Sequence, residues 1–259
     1  MPRALTAALS LFVASSASSG LAQTQGSTRV KTEKADLLVE TVARGLENPW
    51  GLAFLPDGRM MVSEREGRLR IVSANGQLSQ PLGGMPRIAA RGQGGLLDVA
   101  LDPSFAENQV VYLSFAENRG GGSAGTSVAR GKLNAAGTGL EATQVIFRQE
   151  PAYTGGNHFG SRLVLDRTGA LFVTVGDRYN LRDEAQNPSN HIGKVIRIRP
   201  EGGAAPDNPG QPGWRPEIWS LGHRNVQGAA LHPGTGELWT AEHGARGGDE
   251  VNIVRKAFN

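Results

Sequence analysis

Short apolar stretches separated by turn residues recur from about residue 37 onward. Four units share one order: an apolar strand, a turn carrying Pro, Asp or Gly, and a second apolar strand. They are "WGLAFLPDGRMMVSER" from Trp50, "GGLLDVALDPSFAENQVVYLSF" from Gly94, "GSRLVLDRTGALFVTVGD" from Gly160 and "QGAALHPGTGELWTAEHG" from Gln227. Short apolar runs bounded by Pro or Gly favour strands joined by tight reversals. The pattern therefore predicts repeated β-hairpins.

A third strand follows each hairpin, with "RLRIV" at 68, "SVARGKL" at 127, "KVIRIRP" at 194 and "VNIV" at 251. Three to four antiparallel strands per unit are typical of β-propeller blades. We therefore predict an all-β propeller domain over residues 37–259 with about four blades, the last ending within a blade at "VNIVRKAFN". A β-sandwich is the structural alternative, but that fold needs no recurring hairpin unit. No amphipathic helix longer than two turns is predicted.

Composition agrees with a globular fold that is rich in turns. Of 259 residues, 36 are glycine, and 20% of the chain is charged. A glycine excess without a collagen period suits many tight turns. The formal net charge is only +3 and no run of five basic residues exists, so we expect no nucleic-acid partner. The chain has no cysteine, so its stability after export would not depend on disulfides.

The N-terminus predicts export. Arg3 precedes the apolar run "ALTAALSLFVAS", and "SGLAQ" places small residues Gly20 and Ala22 at cleavage positions. We assign residues 1–22 to a signal peptide and residues 23–36 to a flexible leader, and we expect a periplasmic or secreted protein. The apolar run is too short for a permanent span, so no membrane span should remain after cleavage, although a retained anchor is the alternative.

Polar residues stand just before the first strand of three units. Gln93 lies in "RGQGG", His158 in "GGNHFG", and His223, Arg224 and Asn225 in "SLGHRNVQG". In a propeller these strands line the central channel and their entrances meet on one face, so we expect one shared pocket. Each residue also has a structural interpretation: His158 could cap a turn, and Gln93 could solvate a loop.

Other polar residues carry a weaker indication of function. Asp177 in "VGDR" and the pair Asp249 and Glu250 are either calcium ligands or carboxylates that stabilise turns. The other four histidines are expected to be structural or to support the site from behind it: His191, His223, His232 and His243.

These motifs together resemble a known family, the soluble pyrroloquinoline-quinone (PQQ)-dependent aldose sugar and glucose/sorbosone dehydrogenases. The resemblance is carried, in family order, by "NPWGLAFLPDGRMMVSER", "RGQGGLLDVALDP", "GGNHFGSRL", "VTVGDR", "GKVIRI", "SLGHRNVQGAALHP" and "AEHGARGGDEVN". It implies a six-bladed propeller, with PQQ and Ca²⁺ as cofactors and an aldose sugar as substrate. The implied reaction oxidises the C1 hydroxyl to a lactone, and the electron acceptor that reoxidises the quinone stays open.

The resemblance also implies residue roles. His158 would be the general base that takes the sugar hydroxyl proton. Gln93, Arg224 and Asn225 would contact the quinone, with Arg224 steadying charge on its reactive carbonyl oxygen. Backbone oxygens of Gly244 and Ala245 would hold calcium. The family often has proline where Ala245 stands, so this loop is expected to be less rigid.

Other function classes are weighed against this one. A non-catalytic or degenerate propeller could bind a partner or a carbohydrate. A calcium-dependent lactonase would need several carboxylates at the channel centre, where this sequence places Gln, His, Arg and Asn. Nicotinamide use is disfavoured because no Gly-rich loop precedes a helix. If the chain stops within a ring, we expect the 259 residues alone to be marginally stable and poorly active.

Overall fold

The computed structural model describes residues 26–259, so the predicted signal peptide over 1–22 lies outside the described residues. The chain divides into two compact units, Met1–Val42 and Ala43–Asn259. Among residues 26–259, every helix is too short or too polar to cross a bilayer.

The described part of the first unit is a β-hairpin. Strand β1 (Ser27–Lys31) pairs antiparallel with β2 (Asp36–Glu40), and every residue of both strands is exposed. The Thr32 hydroxyl closes the turn by donating to the Ala35 carbonyl at 2.6 Å. The sequence analysis did not predict this hairpin, which spans the expected leader boundary at residue 37. The assignment of leader and domain stays a prediction.

The second unit contains four antiparallel sheets whose strands follow chain order. Sheet 1 contains β3 (Pro49–Phe54), β4 (Met60–Glu64) and β5 (Arg68–Val72). Sheet 2 contains β6 (Leu96–Leu101), β7 (Val110–Gly120), β8 (Ser123–Leu133) and β9 (Leu140–Arg148). Sheet 3 contains β10 (Gly160–Leu165), β11 (Leu171–Val175), β12 (Lys194–Ile198) and β13 (Ile218–Leu221). Sheet 4 contains β14 (Val226–Leu231), β15 (Leu238–Glu242) and β16 (Glu250–Val254).

Helical structure in the described residues is confined to α1 (Phe105–Asn108) and a 3-10 helix at Arg182–Gln186, and neither is longer than two turns. The first strands β3, β6, β10 and β14 lie side by side in chain order. Each of them shifts register against its second strand near its start, which bends and twists it there. The four sheets are thus successive propeller blades, and the all-β propeller prediction is confirmed.

Three buried hydroxyls, which we call the inter-sheet hydroxyls, connect successive sheets: Ser63, Ser114 and Thr174. Each lies on a second strand and accepts a hydrogen bond from the first strand of its own sheet, from Gly51 N, Asp98 N and Arg162 N respectively, at 2.8–2.9 Å. Each then donates to a carbonyl on the first strand of the next sheet, that of Leu97, Ser161 or Val226. At the same register position sheet 4 has Ala241.

Apolar packing fills the space between neighbouring sheets. Met61 of sheet 1 packs in one buried cluster with Leu96 and Phe115 of sheet 2. Tyr112 and Val173 lie in the cluster between sheets 2 and 3, and further buried side chains join sheets 3 and 4. Removing these surfaces from water is the main favourable contribution to folding. The packing fixes the sheets, so the loops that enter the first strands are held at one place.

Candidate functional site

His158 lies in the loop that enters β10. Its backbone is left-handed (φ +50°) and its side chain is buried. The His158 main-chain N–H donates to Gln93 Oε1 at 2.8 Å. The two polar residues predicted to share a pocket are therefore in direct contact, and Gln93 positions the His158 backbone.

The His158 imidazole is held by the carboxylate of Asp177, a pairing that the sequence did not predict. Asp177 follows β11, and its Oδ1 lies 2.7 Å from His158 Nδ1 and accepts the Tyr179 N–H at 2.7 Å. Asp177 is buried, and the exposed Tyr179 ring lies edge-on to His158 at 5.2 Å between centroids. From the sequence, Asp177 was expected to be a calcium ligand or a turn carboxylate. In the structure it orients the predicted base.

Arg178, fully buried, fixes the same loop from behind. Its guanidinium donates to the carbonyls of Asn157 and Gly155 and, at 2.8 Å, to that of Ala124. It also lies over the Phe159 ring, 3.8 Å from the centroid. Burial lowers the pKa of Arg178 to about 10, which still leaves it charged at neutral pH.

Close backbone approach explains the glycines of this region. A Cβ on Gly176 would lie 2.2 Å from the His158 carbonyl oxygen, and Gly92 (φ +60°) would place one 2.5 Å from the Gly156 oxygen. In the structure these glycines admit the neighbouring chain segment, because two loops cross at the site.

Arg224 and Asn225, in the loop entering β14, are tied to the His158 loop. The Asp177 N–H donates to the Arg224 carbonyl at 2.7 Å, and the Gly160 N–H donates to Asn225 Oδ1 at 3.1 Å. The Arg224 guanidinium donates to the His243 carbonyl at 2.7 Å. The three sequence-distant polar sets therefore meet in one hydrogen-bonded network.

A second carboxylate, Glu242, lies beneath this loop at the end of β15. Its Oε1 accepts the Arg224 N–H, and its Oε2 lies 3.1 Å from His223 Nδ1. Burial opposes ionisation, but the hydrogen bond and charge of His223, with the N–H groups of Arg224 and Asn225, hold the pKa of Glu242 below its usual value. Sequence analysis missed Glu242. The sequence signal that could have revealed it is the spacing in β15: Glu242 lies on the same strand face as the apolar Leu238, and that face is buried.

The loop after Glu242 contains the two predicted calcium ligands. Gly244 N–H donates to Asp249 Oδ1 at 2.9 Å, and the Ala245 carbonyl accepts the Gly248 N–H at 3.1 Å. Asp249 therefore acts as a turn carboxylate here, one of its two predicted roles. Among residues 26–259, no group of three or more His, Cys, Asp or Glu side chains is placed to hold a metal ion.

A cavity of about 490 Å³ opens between these loops. Its lining brings together four of the residues expected at this site, His158, His223, Arg224 and Ala245, with Asp177 and Tyr179. Two arginines that the sequence analysis did not select, Arg182 and Arg246, also line it. A volume of this size accommodates a small cofactor, and three guanidinium groups favour one that carries negative charge.

Comparison with known proteins decides the family. The family model described as Glucose / Sorbosone dehydrogenase matches residues 46–259. The chain belongs to this family. This confirms the resemblance that the motifs indicated.

A relative with a known name is similar to the chain over most of the chain's length. Aldose sugar dehydrogenase YliI of Escherichia coli (strain K12) is 45% identical over 228 residues, which cover 87% of this chain and 61% of YliI. The chain thus spans about three fifths of that relative.

Two solved structures in this family share the fold. The soluble aldose sugar dehydrogenase of Escherichia coli in the apo-form is 44% identical with a TM-score of 0.80, over 83% of this chain and 62% of that one. The PQQ-bound form of aldose sugar dehydrogenase from Streptomyces coelicolor is 32% identical with a TM-score of 0.76, over 91% and 65%.

Proposed function

We propose that this chain forms the base-bearing part of a quinoprotein that oxidises the C1 hydroxyl of an aldose to a lactone, with PQQ as the hydride acceptor. The observation that carries this proposal is the His158–Asp177 pair at the wall of an arginine-lined cavity. A relative named aldose sugar dehydrogenase and a PQQ-bound structural neighbour support it.

His158 has the chemistry of the general base. An ionised carboxylate only accepts hydrogen bonds, so Asp177 favours the tautomer with its proton on His158 Nδ1. That leaves a lone pair on Nε2, which can accept the proton of a sugar hydroxyl in the cavity. Asp177 also stabilises the imidazolium that forms. The edge-on contact with the Tyr179 ring helps to keep the imidazole in place.

The residues of the cavity fit PQQ in charge and shape. The guanidinium groups of Arg182, Arg224 and Arg246 offer planar forks for carboxylates. Arg224 would also face negative charge that develops on the quinone oxygen. When bound, PQQ supplies the redox chemistry that no side chain here can provide. We therefore assign cofactor binding to Arg224. We also propose Gln93 and Asn225 as quinone contacts from the family motifs, while in this structure their side-chain oxygens accept the N–H groups of His158 and Gly160.

Calcium fits only as an ion shared with the cofactor. Ca²⁺ takes six to eight oxygen ligands, and the Gly244 and Ala245 carbonyls would supply two. The Ala245 carbonyl already accepts one hydrogen bond, and its second lone pair can reach a cation. We propose these carbonyls as calcium ligands, with the remaining oxygens coming from PQQ and water.

Export accompanies this function in our proposal. The predicted signal peptide over residues 1–22 would place the protein in the periplasm or outside the cell, where it would meet free aldose sugars.

Reconstitution tests the proposal. We expect the chain, expressed with the remaining length found in its relatives, to oxidise aldoses with an artificial dye only when PQQ and CaCl₂ are both added. His158→Ala should lower turnover by roughly 100-fold or more, the usual scale for losing a general base. His232→Ala is the matched control, because that histidine lies outside the cavity, near Trp239.

Two outcomes would contradict this function. Oxidation that requires NAD and ignores PQQ would exclude the quinoprotein reaction. Near-normal turnover by His158→Ala would assign His158 to turn capping.

A further inference from the structure

Glu242 joins the two segments to which the proposed function assigns cofactor and calcium. One carboxylate oxygen accepts the Arg224 main-chain N–H, and the other faces His223. The strand β15 that ends in Glu242 leads directly into Gly244 and Ala245. The buried Glu242 side chain therefore contacts the segment that contains Arg224, and the Glu242 backbone leads into the segment that contains Gly244 and Ala245.

The hydrogen bonds continue from Glu242 to the proposed base. Arg224, held at its N–H by Glu242, accepts the Asp177 N–H with its carbonyl at 2.7 Å. Asp177 in turn holds His158. The Arg224 side chain returns to the His243 carbonyl, and the His243 N–H donates to the Asn225 carbonyl at 3.2 Å. Displacing Glu242 would thus release the Arg224 backbone and the start of the calcium loop together.

The same side chains have the spacing of a hydrolytic triad, and this alternative can be tested on the geometry. Ser220 Oγ lies 2.8 Å from His223 Nε2, and His223 Nδ1 lies 3.1 Å from Glu242. A triad also needs backbone N–H groups free to bind an oxyanion. The N–H groups of Leu221, Gly222 and His223 already donate to the carbonyls of Phe258, Ala185 and Gly193. The arrangement therefore holds the loop, and Ser220 serves as the outer support of His223.

We propose that Glu242 is a positioning residue of the quinone site, which sets the direction of the Arg224 guanidinium and of the Gly244 and Ala245 carbonyls. The inference rests on the proposed function. Carboxylates that support cofactor or metal ligands from behind typically change affinity about 10–100-fold when they are replaced. The substrate hydroxyl is handled by His158, so sugar recognition should depend less on Glu242.

The test uses Glu242→Ala, Glu242→Gln and the control Glu237→Ala in the reconstituted protein. Glu237 is exposed and lies in the turn before β15. Its carboxylate accepts a hydrogen bond from Thr235 and, within residues 26–259, forms none with the Arg224 loop. PQQ is titrated into each apoprotein with CaCl₂ and followed by absorbance, and calcium is titrated at fixed PQQ. The steady-state kcat and KM for glucose are measured alongside, with thermal unfolding to compare stability.

We expect Glu242→Ala to weaken PQQ binding and raise the calcium requirement about 10-fold or more, while KM for glucose changes less than about 3-fold. Glu242→Gln keeps an oxygen for the Arg224 N–H, so it should recover most of the PQQ affinity. Glu237→Ala should match the unaltered protein. If Glu242→Ala fails to fold, the PQQ titration of Glu242→Gln decides. That variant keeps the contact with the Arg224 N–H, so a loss of PQQ affinity in folded Glu242→Gln would contradict the inference.

Two further results would overturn the inference. Unchanged PQQ and calcium titrations in folded Glu242→Ala would show that Glu242 positions nothing, while the proposed function would stand. If the unaltered protein itself binds no PQQ, the proposed function fails and the inference fails with it.

Discussion

The His158 loop depends on backbone conformations that most side chains avoid. His158, Arg178 and Tyr179 all have left-handed φ values, of +50°, +58° and +66°. Such conformations persist when surrounding contacts determine them, and they cluster at functional sites. Here the determining contacts are Gln93 on the His158 N–H, Asp177 on the Tyr179 N–H, and the buried Arg178 guanidinium. His158, the proposed base, is held by main-chain hydrogen bonds as much as by its own ring contact.

Replacing Asp177 by Asn tests this arrangement at one atom. Asn can present its amide N–H to the His158 ring, which would favour the other tautomer and remove the lone pair from Nε2. We expect Asp177→Asn to lower turnover by roughly 100-fold or more, with PQQ affinity changed far less. Stopped-flow reduction of the bound quinone measures this step. Asp183→Asn, at an exposed position of the 3-10 helix, is the control, and equal rates in both variants would refute the assigned role.

Residue patterns located the site better than they described its contacts. Gln93, His158 and Arg224 could be found because each precedes the first strand of a repeat. Their partners could not be read in the same way, because Asp177 and Glu242 lie at the ends of second strands, far from His158 and Arg224 in sequence. For Glu242, a carboxylate on an apolar strand face was the available signal, and its pairing required the three-dimensional path of the chain.

At the scale of elements, the pattern of apolar runs and turn residues predicted those strands that bury one face against a neighbour. The hairpins that begin at Trp50, Gly94, Gly160 and Gln227 all formed, because each packs an apolar face against a neighbour. The β1–β2 hairpin was missed because both strands are exposed on every residue and show no burial pattern. The inter-sheet hydroxyls were also missed, although Ser63, Ser114 and Thr174 occupy one repeat position.

Ser114 provides the prediction at this scale. Its hydroxyl accepts the Asp98 N–H at 2.9 Å and donates to the Ser161 carbonyl at 2.5 Å, and all three residues are buried. Ser114→Ala leaves two buried backbone groups without this partner, at about 1–3 kcal/mol each. We expect the free energy of unfolding in urea to fall by about 2 kcal/mol or more. Ser104→Ala, an exposed serine without a side-chain cap bond, is the control.

Urea unfolding shows whether the Ser114 hydroxyl stabilises the contact between sheets 2 and 3. If Ser114→Ala and Ser104→Ala unfold at the same urea concentration with the same slope, the hydroxyl contributes nothing between sheets 2 and 3.

The whole second unit ends in two exposed sheet faces. On sheet 4, Trp239, Val251 and Ile253 are 38%, 72% and 36% exposed. On sheet 1, Leu52 and Phe54 are 50% and 71% exposed. Between successive sheets the corresponding faces are covered, and sheet 4 has Ala241 where the other sheets have a hydroxyl that bonds to the next one. Contiguous apolar faces of this kind favour association with other surfaces.

We therefore expect the 259-residue chain to self-associate through these faces. Sedimentation velocity over a tenfold range of concentration should show a rising weight-average mass, and a hydrophobic dye should bind at 25 °C. The combined substitution Trp239→Thr, Val251→Thr and Ile253→Thr should lower both signals, because threonine keeps the strand preference and removes most of the apolar surface. Glu141→Thr, at an exposed polar position of β9, is the control and should change neither. A concentration-independent monomer that binds no dye would show that these faces are stable in water as they stand.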